Sequence, residues 1–184
     1  MALAVESSDK KVKTLNDLAS YKLQCCSPES DLIVYPRWLC FNSQNGYKNP
    51  LFVRFFVENR EPYPVTYNMK AREKIFRIES SSGILKSGER RTIKLFLISS
   101  DEWPLSFGEY TQKRIKVAVE CLRLPEQIEP SSQKENRMMA KSIWKRSFNE
   151  WPLERLYTKV NVFIVSQAAS APDSTTTVTT KYRL

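Results

Sequence analysis

Two basic clusters are the residues whose types and spacing could do chemistry. Lys70, Arg72 and Lys74 follow one candidate strand, and Lys113, Arg114 and Lys116 open another. Cations gathered at strand ends can bind carboxylates or phosphates through charge-assisted hydrogen bonds. They can equally be solvated surface charge, which needs no purpose. The whole chain of 184 residues carries 29 Lys and Arg against 20 Asp and Glu, a formal net charge of +9. That balance favours an anionic partner: an acidic peptide, a nucleic acid or an anionic membrane surface.

The sequence contains no histidine. Histidine general acid–base catalysis, Ser-His and Cys-His nucleophile pairs and His-containing zinc sites are thereby excluded. No catalytic or nucleotide-binding motif appears, so the chain is expected not to be an enzyme and to need no metal or cofactor. Cys25 and Cys26 are adjacent, which suits neither a redox pair nor a zinc knuckle, and Cys40 and Cys121 read as small core residues. No secretory leader and no spanning apolar run is legible, which predicts a cytoplasmic protein with reduced thiols.

The elements that must position these residues are mostly short strands. Alternation marks Leu51–Glu58, Val65–Lys70, Ile93–Ile98, Ile115–Cys121 and Leu156–Val165, and a first strand in 31–41 is interrupted at Pro36. A short FRI strand, Phe76–Ile78, is expected between the second and third of these runs. The stretch SSGILKSGE, with Gly83 and Gly88, reads as a turn-rich connector. Ser131 or Ser132 can cap a short helix through about Arg146. Six or seven strands without a βαβ rhythm predict an all-β, immunoglobulin-like antiparallel β-sandwich with one short helix before the last strand. Three segments are expected: an N-terminal extension at 1–30, partly disordered with a helical turn or two near Leu15 and Leu18; the sandwich domain at 31–165; and a disordered Ser/Thr-rich tail at 166–184.

Phe52, Phe56, Phe96 and Ile98 fall on outer strand faces. They read either as a contact patch for a partner or a second copy, or as a face covered by loops and the N-terminal extension. Trp103, Trp144 and Trp151 read as interface anchors or, for Trp144 on its helix, as core.

With the strands placed, residues 31–165 resemble the major sperm protein domain, shared by nematode sperm motility proteins and VAMP-associated proteins. The likeness rests on LIVYP, on FVEN at a turn, on V-x-Y-x-M-K, on FRIESSSGILKSGERRTIKLFL, and on AKSIWKR before the last strand. Ser80 and Ser87 stand where the family usually has prolines. The resemblance implies a non-enzymatic protein–protein interaction module. Its partner would be a second copy or a sperm-protein cytoskeletal filament, giving a cytoskeletal location. The VAMP-associated branch implies an alternative, an adaptor whose groove at Lys70, Arg72, Lys74, Arg114 and Lys116 takes acidic aromatic or phosphorylated peptides. Lys116 replaces a usually apolar residue, so the resemblance implies weaker, more salt-sensitive peptide binding. RNA binding by a basic β protein is a further alternative. It has loose support in Arg54-Phe55-Phe56 and Lys94-Leu95-Phe96 but no signature of a known RNA-binding module, so nucleic acid ranks below protein as partner.

Overall fold

The computed structural model describes residues 10–150 and 156–166. Among the described residues, nine strands form two sheets packed face to face. The strands are β1 (Ile33–Tyr35), β2 (Trp38–Ser43), β3 (Leu51–Glu58), β4 (Val65–Ala71), β5 (Phe76–Ile78), β6 (Ser82–Leu85), β7 (Arg90–Leu97), β8 (Ile115–Arg123) and β9 (Leu156–Ser166). One sheet has the order β1-β3-β7-β5 and the other β2-β9-β8-β4-β6. This is the expected immunoglobulin-like sandwich. All pairs are antiparallel except β2 with β9, which run parallel from Trp38↔Asn161 to Ser43↔Ser166. The chain crosses from one sheet to the other between β1 and β2, where the Tyr35–Pro36 peptide is cis.

Alternation builds the core. Val65, Tyr67 and Met69 of β4 face Ile93, Leu95 and Leu97 of β7 from opposite sheets, and all six are buried in one apolar cluster. Asn59, at the end of the FVEN run, is fully buried and joins the loops above this core. Its amide donates to the carbonyls of Tyr63 (2.8 Å), Leu85 (3.2 Å) and Lys86 (3.1 Å). Each bond satisfies a backbone acceptor that burial would otherwise strand.

The connector expected at SSGILKSGE contains a strand instead. Ser82–Leu85 is buried at every position, so it shows no alternation to read. Only Gly88 turns with a positive φ (72°); Gly83 serves close packing, since a Cβ there would lie 2.6 Å from the Arg91 side chain. The helix expected from Ser131 or Ser132 is α3 (Gln133–Glu150), longer than its sequence outline; the Ser132 hydroxyl accepts from the Glu135 amide at 3.2 Å. Two further helices, α1 (Leu15–Ser20) and α2 (Phe107–Gln112), each start at a capping box, Thr14 with Asp17 and Ser106 with Glu109.

α3 lies across β6 and makes a second apolar cluster with the stretch expected as an extension. Met139, Ala140 and Ile143 pack with Val12, Leu18 and Leu23. From residue 10 onward that stretch is therefore packed, bridging to the sheet through Val12↔Ile128 and Cys26↔Arg123. Trp144 is core, 3% exposed, whereas Trp151 and the tail expected beyond Ser166 lie outside the described residues. Cys40 is exposed, contrary to the core reading, because Leu39 and Phe41 take the inward face of β2. Among the described residues, no helix is long and apolar enough to cross a membrane.

Candidate functional site

On the outer face of the five-stranded sheet α3 packs chiefly over β6 and β4. Beyond it the register sets Lys70 opposite Ala118 and Ala118 opposite Lys159, so two lysines flank a small side chain in one rung. The next rung brings Lys116 beside Asn161, and Asn161 beside Trp38. Side chains at these positions point outward because their neighbours Val117, Val119, Val160 and Val162 point into the core.

The result is an open groove of about 740 Å³ lined by Lys70, Arg72, Glu73, Arg114, Lys116 and Lys159, with Ile115 and two alanines at its floor. Lys70 pairs with Glu120 at 3.0 Å and lies 5.0 Å from the Phe148 ring centre. Glu73 is held by Lys113 at 3.1 Å. Among the described residues, Arg72, Arg114 and Lys116 have no carboxylate in ion-pair range. Five cations thus surround a groove whose one lining carboxylate already has a partner, and the local field attracts anions.

A smaller hollow of about 370 Å³ continues the groove and shares Arg114, Ile115 and Lys116 with it. Its far wall is Trp38 stacked on Phe163, ring centres 5.6 Å apart and 8° from parallel. Trp38 is 67% exposed, an unusual cost for an indole that packs on one face only. Lys116 stands between the basic and the aromatic halves.

Of the residues singled out from sequence, Lys70, Arg72, Arg114 and Lys116 come together in this groove. Lys74 does not line it; it sits exposed past the Arg72–Glu73 turn, and its carbonyl accepts from Arg77 at 2.8 Å. Lys159 and Trp38 were not anticipated. Lys159 had a legible signal in its phase, out of step with Val160 and Val162. Trp38 had none, since only the parallel β2–β9 pairing carries it there.

Phe52, Phe56 and Phe96 lie on the outer face of the other sheet. Phe52 is directly opposite Phe96, with ring centres 5.6 Å apart. Ile98 is not with them: it packs against the core just past β7 and donates its N–H to the Ile75 carbonyl at 3.0 Å. The N-terminal stretch covers the α3 side of the molecule and leaves this face open.

The two buried thiols, Cys25 and Cys121, do not add a nucleophile. Burial pushes Cys25 up to about 12 and Cys121 up to about 11, so both stay protonated at neutral pH.

No protein-family model and no curated protein sequence matches this chain. Among solved structures it is similar to WR4, a major sperm protein family member of Caenorhabditis elegans, at 10% identity and a TM-score of 0.45, over 75% of this chain and 99% of that one. It is similar to SSP-19, a protein of that organism like those with major sperm protein domains, at 10% identity and a TM-score of 0.45, over 72% and 99%. A PapD-like domain of human CEP192 is similar at 10% identity and a TM-score of 0.39, over 80% and 98%.

Proposed function

We propose that this chain is a non-enzymatic protein-interaction module of major sperm protein type. Its groove between β4, β8 and β9 takes acidic peptides that carry an aromatic side chain. The observation behind this reading is the junction of five cations with the Trp38–Phe163 shelf in one continuous groove. Peptide carboxylates, or a phosphorylated side chain, meet Arg72, Arg114 and Lys159; the aromatic ring reaches past Lys116 to the shelf. The Lys116 stem packs against the ring while its ammonium stays in water. Steering by the positive field acts mainly on the association rate.

Self-association and service to a sperm-protein cytoskeleton in the cytoplasm are the other expectations of the family likeness. Either exposed face is basic, so two copies meeting face to face bring like charges together. Sedimentation at micromolar concentration measures that reading directly.

The test is titration of an acidic, aromatic-containing peptide into the wild type and an Arg72→Glu, Arg114→Glu variant at two salt concentrations. These two are chosen because reversing Lys70 would set a new carboxylate against Glu120. The expected result is at least tenfold weaker binding by the variant, most of it in the association rate. Equal binding by both proteins, or none by either, overturns the proposal.

A further inference from the structure

The open face of the four-stranded sheet repeats a pattern that packing does not explain. Arg54 of β3 is directly opposite Lys94 of β7. Like charges opposed across an antiparallel ladder destabilise it. On one side of this rung lies Phe52 opposite Phe96, and on the other lies Phe56, paired with Tyr35 of β1 at 5.6 Å between ring centres. The face therefore reads aromatic, cationic, aromatic, in steps of about 6.6 Å along the strand. Tyr35 is 63% exposed and Phe52 48%. The Arg54 guanidinium stands 4.9 Å from the Phe52 ring centre, and that of Arg90 stands 4.2 Å from Phe56. Lys94 and Arg90 share their charge with Glu79 (3.3 Å) and Glu58 (2.6 Å). Among the described residues, Arg54 has no such partner.

We infer that this face binds single-stranded RNA, independently of the peptide groove on the opposite sheet. Unstacked bases lie on the Phe52–Phe96 and Tyr35–Phe56 rungs, and guanidinium planes stack on bases as rings do. The phosphate between two such bases falls on the Arg54–Lys94 rung, which relieves the repulsion of that pair. Thr92, exposed and directly opposite Phe56, offers a hydroxyl to a ribose 2′-OH, which DNA lacks. A duplex hides its base faces and cannot use the rings. An acidic peptide with one aromatic side chain supplies charge for the middle rung and a ring for at most one of the two aromatic rungs.

The probe is a fluorescein-labelled oligouridylate of about 12 nucleotides, read by anisotropy at about 50 and 200 mM salt. Wild type is expected to bind it, to lose affinity at the higher salt, and to bind the matching deoxy-oligomer and duplex more weakly. Tyr35→Ala and Arg54→Gln, both at exposed positions, are each expected to weaken binding roughly tenfold, with circular dichroism and melting unchanged. The Arg72→Glu, Arg114→Glu variant should bind RNA like the wild type. No binding at low salt overturns the inference. So does binding lost in the groove variant but kept in the two face variants, DNA bound as tightly as RNA, or displacement of RNA by the acidic peptide.

Discussion

Trp144 of α3 donates its indole N–H to the Thr66 hydroxyl at 3.0 Å, and Thr66 passes its own hydrogen to the Gly83 carbonyl at 3.0 Å. All three residues are buried. This chain of bonds ties α3 to β4 and β6 through the one polar side chain of β4 that is fully buried. Thr66→Val keeps the shape but removes the hydroxyl that accepts the indole N–H and donates to Gly83, and is expected to cost about 1–3 kcal/mol in urea unfolding. Trp144→Phe removes the other end of the same bond, so the double variant should lose less than the sum of the two single ones.

Gly83→Ala should also destabilise. The added Cβ would lie 2.6 Å from Arg91 Nη1, and 2.8 and 2.9 Å from the Tyr67 hydroxyl and Cε1. Arg91 can move, but the Tyr67 side chain is fully buried. The expected cost is about 1–3 kcal/mol. Gly108→Ala is the contrast. A Cβ there meets nothing within 4 Å, and the position lies within α2, so thermal melting should show a gain of up to about 1 kcal/mol.

Glu129 contributes to the acid response of the N-terminal stretch, beside Asp17, whose carboxyl is held below its ordinary value by hydrogen bonds from the Thr14 hydroxyl and the Lys13 and Thr14 amides. Lys11 and Lys86 hydrogen-bond the two Glu129 oxygens at 2.7 and 2.8 Å and hold that carboxyl down to about 2, against an ordinary 4.5. The folded value lies below the unfolded one, so the stabilisation is complete above pH 4.5 and fades as pH falls towards 2. The Val12 amide, which donates to the Gln127 carbonyl at 2.9 Å, should lose hydrogen-exchange protection across that window. The amides of β4 and β8 should keep theirs. Protection at Val12 that is flat from pH 5 to pH 2 would contradict this assignment.

Lys116→Met should change how salt acts on peptide binding. The substitution leaves Arg72, Arg114 and Lys159 in place but completes an apolar wall between groove and shelf. Affinity should then fall less between about 0.01 and 0.15 M salt, where the screening length drops from about 30 to 8 Å. Isothermal titration at both concentrations checks the ratio. An unchanged ratio would place Lys116 outside the bound peptide's reach.

How legible this molecule is in its sequence depends on whether a residue's neighbours are local. The period of two in Leu51–Glu58 and Ile115–Arg123 is local, and so the strands and the sandwich are readable. Ser82–Leu85 is buried on both faces, once by the sheet packing and once by α3, so it offers no period. The capping boxes of α1 and α2 were present, but six-residue helices carry too little apolar repeat to stand out. For the candidate groove, Lys70 and Arg72 adjoin in sequence, as do Arg114 and Lys116. Lys159 and Trp38 join them only through β8–β9 and β2–β9 registers, which no local pattern encodes.

The place of β9 governs when the fold can form during synthesis. It lies between β2 and β8, so until β9 has left the ribosome the five-stranded sheet has a gap that separates edge strand β2 from β8, β4 and β6. Until then the nascent chain presents two unpaired backbone ladders, one on each side of the gap, each able to accept a foreign strand. The four-stranded sheet, complete by residue 97, has no such wait. Chains stalled before residue 156 should consequently be the species that chaperones hold, with one sheet assembled and the other open between β2 and β8.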